Sequence, residues 1–363
     1  MTGGQCNRFF FVNCIFILCI GVEAWHTMTL SAYLQSSNLL LFSQIYSKAL
    51  VLFMLSFITS TLIPVLILLL MGWLFFRIKW LNEGFIEAGS KLVFNVALPA
   101  LLFLSIARAD FSKAANLSLI SVGVMGTLFV FAALMCISHL TVHPYKARGV
   151  VVQGGFRANM GIIGLAYCAN TYGQEGLAVA SVYMGCITIL FNILSVFVLN
   201  FYQGTSRSLM GQVTGMAKNP LILSIAAALP FSYFEWQLPD TVVKTGEYFA
   251  QLTLPLALIC TGASLQFRSF SSDWFNIVLS TTSKCVVYPT ILVALAYAFG
   301  FKGMELGIVL LLAISPTAAA SYVMVRNLGG DYRLAASIIA VSTLVSLPIT
   351  ALAFGILSKL QLV

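Results

Sequence analysis

Phe94-Asn95-Val96-Ala97-Leu98-Pro99-Ala100-Leu101 is answered, 156 residues further on, by Ala250-Gln251-Leu252-Thr253-Leu254-Pro255-Leu256-Ala257. The same offset carries Pro64 onto Pro220, Gly173 onto Gly329, and Ala180-Ser181 onto Ala336-Ser337. One ungapped shift shared by all these marks points to a duplicated unit. In a very apolar chain a duplicated unit is the usual sequence trace of a secondary transporter.

The composition agrees. Sixty per cent of the 363 residues are hydrophobic and eight per cent carry charge, whereas a soluble domain has roughly a quarter charged residues. Apolar stretches of about 20 residues, enough to cross a hydrocarbon core of about 30 Å, recur along nearly the whole chain. This is an all-α polytopic membrane protein that lives in a lipid bilayer. The net charge of +8 does not indicate a nucleic-acid partner, because the basic residues are scattered through short loops rather than gathered into a patch. The eight cysteines lie mostly in apolar runs without CxxC spacing, which reads as buried small residues and gives no metal site. His139 and His143 flank the end of a span before Pro144 and add nothing to a metal case.

Ten spans are predicted, near 58–76, 86–106, 117–139, 147–170, 176–202, 219–234, 244–264, 275–299, 303–326 and 332–358. They divide into a first five-helix repeat, 54–202, a short linker, 203–218, and a second five-helix repeat, 219–363. Five is odd, so the second copy enters from the opposite face and the repeat is inverted. Residues 1–53 have no counterpart. Arg8 followed by Phe9 to Ile20 and Val22-Glu23-Ala24 fits a signal peptide; a short extra helix and sequence upstream of a start at Met54 stay open. Lys and Arg in the short loops count nine to five in favour of both ends of the repeat core facing outward.

Spans four and nine differ from the rest. Span four reads Gln153-Gly154-Gly155-Phe156-Arg157-Ala158-Asn159-Met160-Gly161-Ile162-Ile163-Gly164, and span nine Ala313-Ile314-Ser315-Pro316-Thr317-Ala318-Ala319-Ala320-Ser321. The paired glycines weaken a helix, and Pro316 lacks an N–H and clashes with the preceding turn. The offset aligns Asn159 with Ser315 and Met160 with Pro316, so both copies carry a polar residue at the expected break. Backbone groups released there must be buried or line a wet cavity. The N–H groups of a half-helix that starts at mid-depth attract an anion. Arg157, costly in a bilayer without a partner, can grip a carboxylate with two hydrogen bonds. An internal pairing or snorkelling of Arg157, and a simple kink at Pro316, remain the alternatives. Gly155, Arg157, Asn159, Met160, Ser315, Pro316 and Thr317 are therefore the candidate substrate-binding residues. Asn95 and Gln251, each four residues before a repeat-related proline, join them as amides able to bind substrate or to tie neighbouring helices together. Lys284, well inside span eight, is a candidate for coupling, with snorkelling equally open.

Gly155-Phe156-Arg157-Ala158-Asn159-Met160-Gly161-Ile162-Ile163-Gly164 resembles the fourth-helix motif of the auxin efflux carrier family. Ser315-Pro316-Thr317-Ala318, followed by Asn327-Leu328-Gly329-Gly330-Asp331, is similar to its ninth-helix motif. The likeness covers about residues 54 to 363. It implies ten helices in two inverted repeats, with helices four and nine crossing at their breaks to form the substrate site. It also implies an elevator-like motion of a transport domain against a scaffold. Bacterial members resemble malate and malonate carriers. The long hydrophilic loop of the plant hormone carriers is missing, and Leu165-Ala166 stands where many relatives have a proline after Gly164. The missing loop favours a small organic anion over a hormone.

The expected function is secondary active transport of a small carboxylate across the inner membrane of the cell. A channel, or a membrane-embedded sensor of an organic acid, is the alternative. An enzyme would need paired aspartates, an HExxH helix or an activated serine with a base, and the sequence offers none. No cofactor is expected. A coupling ion, proton or sodium, and a homodimer are left open.

Overall fold

The structure, a computed structural model, describes residues 55–109, 116–203, 220–265 and 273–363. The extension 1–53, nearly all of the linker 203–218, and Lys113, Arg207, Lys218 and Arg268 of the loop-charge count lie outside the described residues.

Described residues form helices with no strand among them. They are α1 (Leu55–Arg77), α2 (Glu83–Ala107), α3 (Leu117–Thr141), α4 (Ala147–Phe156), α5 (Met160–Gln203), α6 (Pro220–Tyr233), α7 (Asp240–Ala263), α8 (Trp274–Ala298), α9 (Gly303–Ile314), α10 (Ala320–Asn327) and α11 (Tyr332–Lys359). Six of these, α1, α2, α3, α5, α8 and α11, are long and apolar enough to cross a membrane; α6 and α9 are shorter apolar helices. The chain is thus a multi-pass membrane protein.

Span four begins as α4, stops at Phe156 and resumes at Met160 as the start of α5. Spans four and five then run into one another through α5, separated by a kink at Gly173 with φ 62° and ψ −148°. That conformation is essentially reserved for glycine. Its counterpart Gly329 also has positive φ, 75°, so the glycines aligned by the 156-residue offset share a backbone requirement.

Prolines explain three local irregularities. Pro64, Pro99 and Pro289 each follow a π-turn, at Ile58–Leu62, Val93–Ala97 and Ser283–Val287. A proline has no N–H to give and crowds the carbonyl four residues back, and widening the helix by one residue relieves the clash. Asn95 occupies that crowded position before Pro99, and its amide donates to the carbonyl of Lys91 at 2.8 Å.

Two groups of helices emerge from the packing. Helix α1 lies against α7, and α2 against α6 and α7. In the other group α4 packs on α3, α5 and α8, α9 on α5 and α8, and α11 on α4, α8 and α10. Contacts of α2 and α7 with α5 join the groups. Helices α1 and α7 meet backbone to backbone: a Cβ at Gly72 would strike the carbonyl of Ile259, and one at Gly262 the carbonyl of Leu69. Close approach through small residues is how membrane helices gain packing energy where lipid offers no hydrophobic drive. The outer rim keeps large apolar side chains exposed, among them Ile67, Leu70, Phe129 and Leu352, as a surface bathed in lipid tails requires.

Candidate functional site

The interruptions in α4–α5 and α9–α10 meet. Ala158 and Thr317 form an isolated antiparallel bridge, in which Asn159 N donates to Pro316 O at 2.7 Å and Ala318 N to Arg157 O at 3.0 Å. Two short extended segments therefore cross in the interior and satisfy part of each other's released backbone.

Several of the other released groups find side-chain partners, as burial in a membrane protein demands. In α9, Pro316 cannot donate to Leu312 O, and the Ser315 hydroxyl does so instead at 2.7 Å. Ala313 O loses Thr317 N and accepts from the Lys284 ammonium. Thr317 N turns to the Ser342 hydroxyl at 3.1 Å. On the other strand of the crossing, Gly154 O accepts from the Thr317 hydroxyl at 2.8 Å and Gly155 O from the Ser283 hydroxyl at 3.3 Å. Hydroxyls and one ammonium thus stand where helical N–H groups are missing.

Arg157 is buried beside this crossing, with 6% of its surface exposed. Its Nη2 donates to Asn192 Oδ1 at 2.7 Å and its Nη1 to Ser195 Oγ at 3.1 Å, with the Met324 sulfur at 2.9 Å from Nη1. No carboxylate pairs with it among the described residues. The guanidinium is therefore oriented by neutral groups, with no acid among the described residues compensating its charge.

Seven predicted residues, Gly155, Arg157, Asn159, Met160, Ser315, Pro316 and Thr317, come together at the crossing, and Lys284 reaches it through Ala313 O. Two do not. Asn95 is exposed on α2, and its amide donates to the Lys91 carbonyl of its own helix. Gln251 instead lines a cavity of about 930 Å³ between α1, α2, α7 and α5. That cavity also carries Pro64, Ser105, Asn170, Gln174 and Glu175, and the 2.8 Å ion pair of Arg108 with Glu247. Arg157 is not among its lining residues.

Sequence reasoning missed Asn192 and Ser195, which orient Arg157, and Ser342, which holds Thr317 N. Asn192 and Ser195 stand three residues apart in an apolar helix, so they share a face. That polar stripe is the signal that could have found them.

A family described as membrane transport protein matches residues 57–210 and 205–354. The chain belongs to this family of membrane transporters, the auxin efflux carrier family whose motifs it carries. It is similar to an uncharacterized transporter of Methanothermobacter thermautotrophicus, 28% identical over 292 residues that make up 80% of this chain and 95% of the relative. It is also similar to the uncharacterized transporter YfdV of Escherichia coli strain K12, 25% identical over 80% of this chain and 95% of the relative. A Rhizobium meliloti protein whose name proposes malonate as its cargo is 24% identical over 80% of this chain and 92% of its own length. Membership implies a small-molecule substrate and a membrane setting.

Proposed function

We propose that the protein is a secondary carrier that moves a small carboxylate, of the malonate or malate kind, across the cell's inner membrane by alternating access. The observation that carries this reading is the crossing of two interrupted helices beside a buried guanidinium that pairs with no carboxylate among the described residues. A half-helix restarts at Met160, three residues after Arg157, and Ala318, two residues before the restart at Ala320, bonds to the Arg157 carbonyl; helix starts and a fixed guanidinium favour the same guest, a carboxylate. The name of the Rhizobium relative supports malonate as the first compound to try. Each of the three relatives carries a transporter name, which favours a carrier over an enzyme, a pore or a receptor.

The two helix groups support the proposed motion. Helices α1, α2, α6 and α7 form the frame, and the helices that hold the crossing form the moving body. In this reading the cavity between them is the entrance on one side, which the motion must extend to the crossing, because none of the crossing residues lines it. The 156-residue offset exchanges α1 with α6 and α2 with α7, so it turns the α1–α7 contact into the α6–α2 contact. This exchange supports two inverted five-helix repeats, 54–202 and 219–363, related by a pseudo-two-fold axis.

A thermal-shift screen of the purified protein tests the substrate class, because a ligand of the folded state raises its apparent stability. Malonate or malate is expected to raise the melting midpoint and malonamide, of equal size without charge, to leave it unchanged. Equal stabilisation by malonamide would remove the anion from the proposal.

A further inference from the structure

Lys284 is fully buried in the π-turn of α8. Its ammonium donates to Ala313 O and stands 4.9 Å from the centroid of the Tyr288 ring. It takes part in no ion pair among the described residues. Ala313 belongs to the last turn of α9, which ends at Ile314, so the ammonium sits at the negative end of an interrupted helix. In transporters built on broken helices, freed carbonyls and half-helix C-termini at mid-depth are where coupling cations bind. Here that place is already filled by a cation tethered to the chain. The ring face of Tyr288 adds a second attraction for positive charge.

We propose that Lys284 is a built-in cation occupying the coupling-ion position of the crossing, so that the carrier binds and moves its anion without sodium. The transport half of this statement rests on the carrier reading above; the occupied cation position rests on the geometry alone. Arg157 at the crossing would then meet the substrate, while Lys284 neutralises the helix end behind it. The two charges lie on different arms. Arg157 is held by Asn192 and Ser195 of α5, and Lys284 by α9.

The test compares thermal unfolding of the purified full chain in sodium chloride and in N-methyl-D-glucamine chloride at equal ionic strength. Wild-type protein is expected to melt at the same temperature in both. Lys284→Ala is expected to melt lower, on the order of 5 °C or more, and to be restored in part by sodium or methylammonium, which can enter the emptied position. Lys284→Met, whose stem still fills the space, is expected to lose stability without restoration. Stabilisation of wild type by sodium would overturn the proposal, and so would a Lys284→Ala loss that neither cation restores. Should Lys284→Ala fail to fold, the wild-type comparison still decides, together with Lys284→Arg, expected to melt independently of sodium. A protein that melts as described but takes up no acid keeps the built-in cation and loses the carrier reading. Acid uptake that needs a sodium gradient does the reverse.

Discussion

Arg157→Ala is expected to reduce uptake of a dicarboxylate into proteoliposomes on the order of 100-fold, equivalent to about 3 kcal/mol of lost charge-assisted binding. Arg157→Lys should recover only part of it, because a point charge does not reproduce the two-pronged guanidinium. The alanine variant also leaves Asn192 Oδ1 and Ser195 Oγ without their donor, costing about 1–3 kcal/mol of stability. Uptake is therefore compared at equal amounts of folded, monodisperse protein. A structural arginine would lower the melting midpoint and leave the KM unchanged. A substrate-binding arginine raises the KM in alanine and lysine alike.

The second large effect falls on the frame. Gly262→Val is expected to lower the melting midpoint by about 10 °C, from overpacking of about 3 kcal/mol. Its Cβ meets the Leu69 backbone carbonyl, and Gly72 presents the mirror-image problem with Ile259. Neither backbone can move aside as a side chain would, so α1 and α7 must separate. Thermal unfolding in detergent measures it. A Gly262→Val protein that melts like wild type would mean that these helices do not touch there.

Much of this was legible in the chain. The 156-residue offset picked out Gly173 and Gly329, and both adopt positive φ. The paired glycines and Pro316 located the interruptions to within a residue or two, because such weak helix formers stop an apolar helix close to where they stand. Partners were harder to read. Gly72 and Gly262 look like any small residues of a membrane helix, and only the packing reveals that two carbonyls press on them. The roles of Ser283, Ser315 and Ser342 depend on which carbonyl each break releases, and that is settled by the crossing rather than by any local pattern. Asn95 and Gln251 look equivalent by position, yet Gln251 lines the cavity between α1, α2, α7 and α5 and Asn95 does not. Pro99 follows a π-turn, whereas Pro255 lies within the continuous helix α7, so the two amides are presented differently.

Counterflow bears most directly on the central claim, that a carboxylate is bound at the crossing and exposed to one side of the membrane at a time. Proteoliposomes loaded with unlabelled malonate or malate are diluted into the labelled acid without any ion gradient. The account predicts saturable entry of label, accelerated by acid inside and lost in Arg157→Ala. Entry that rises linearly with concentration and ignores the acid inside would contradict it and make the protein a pore.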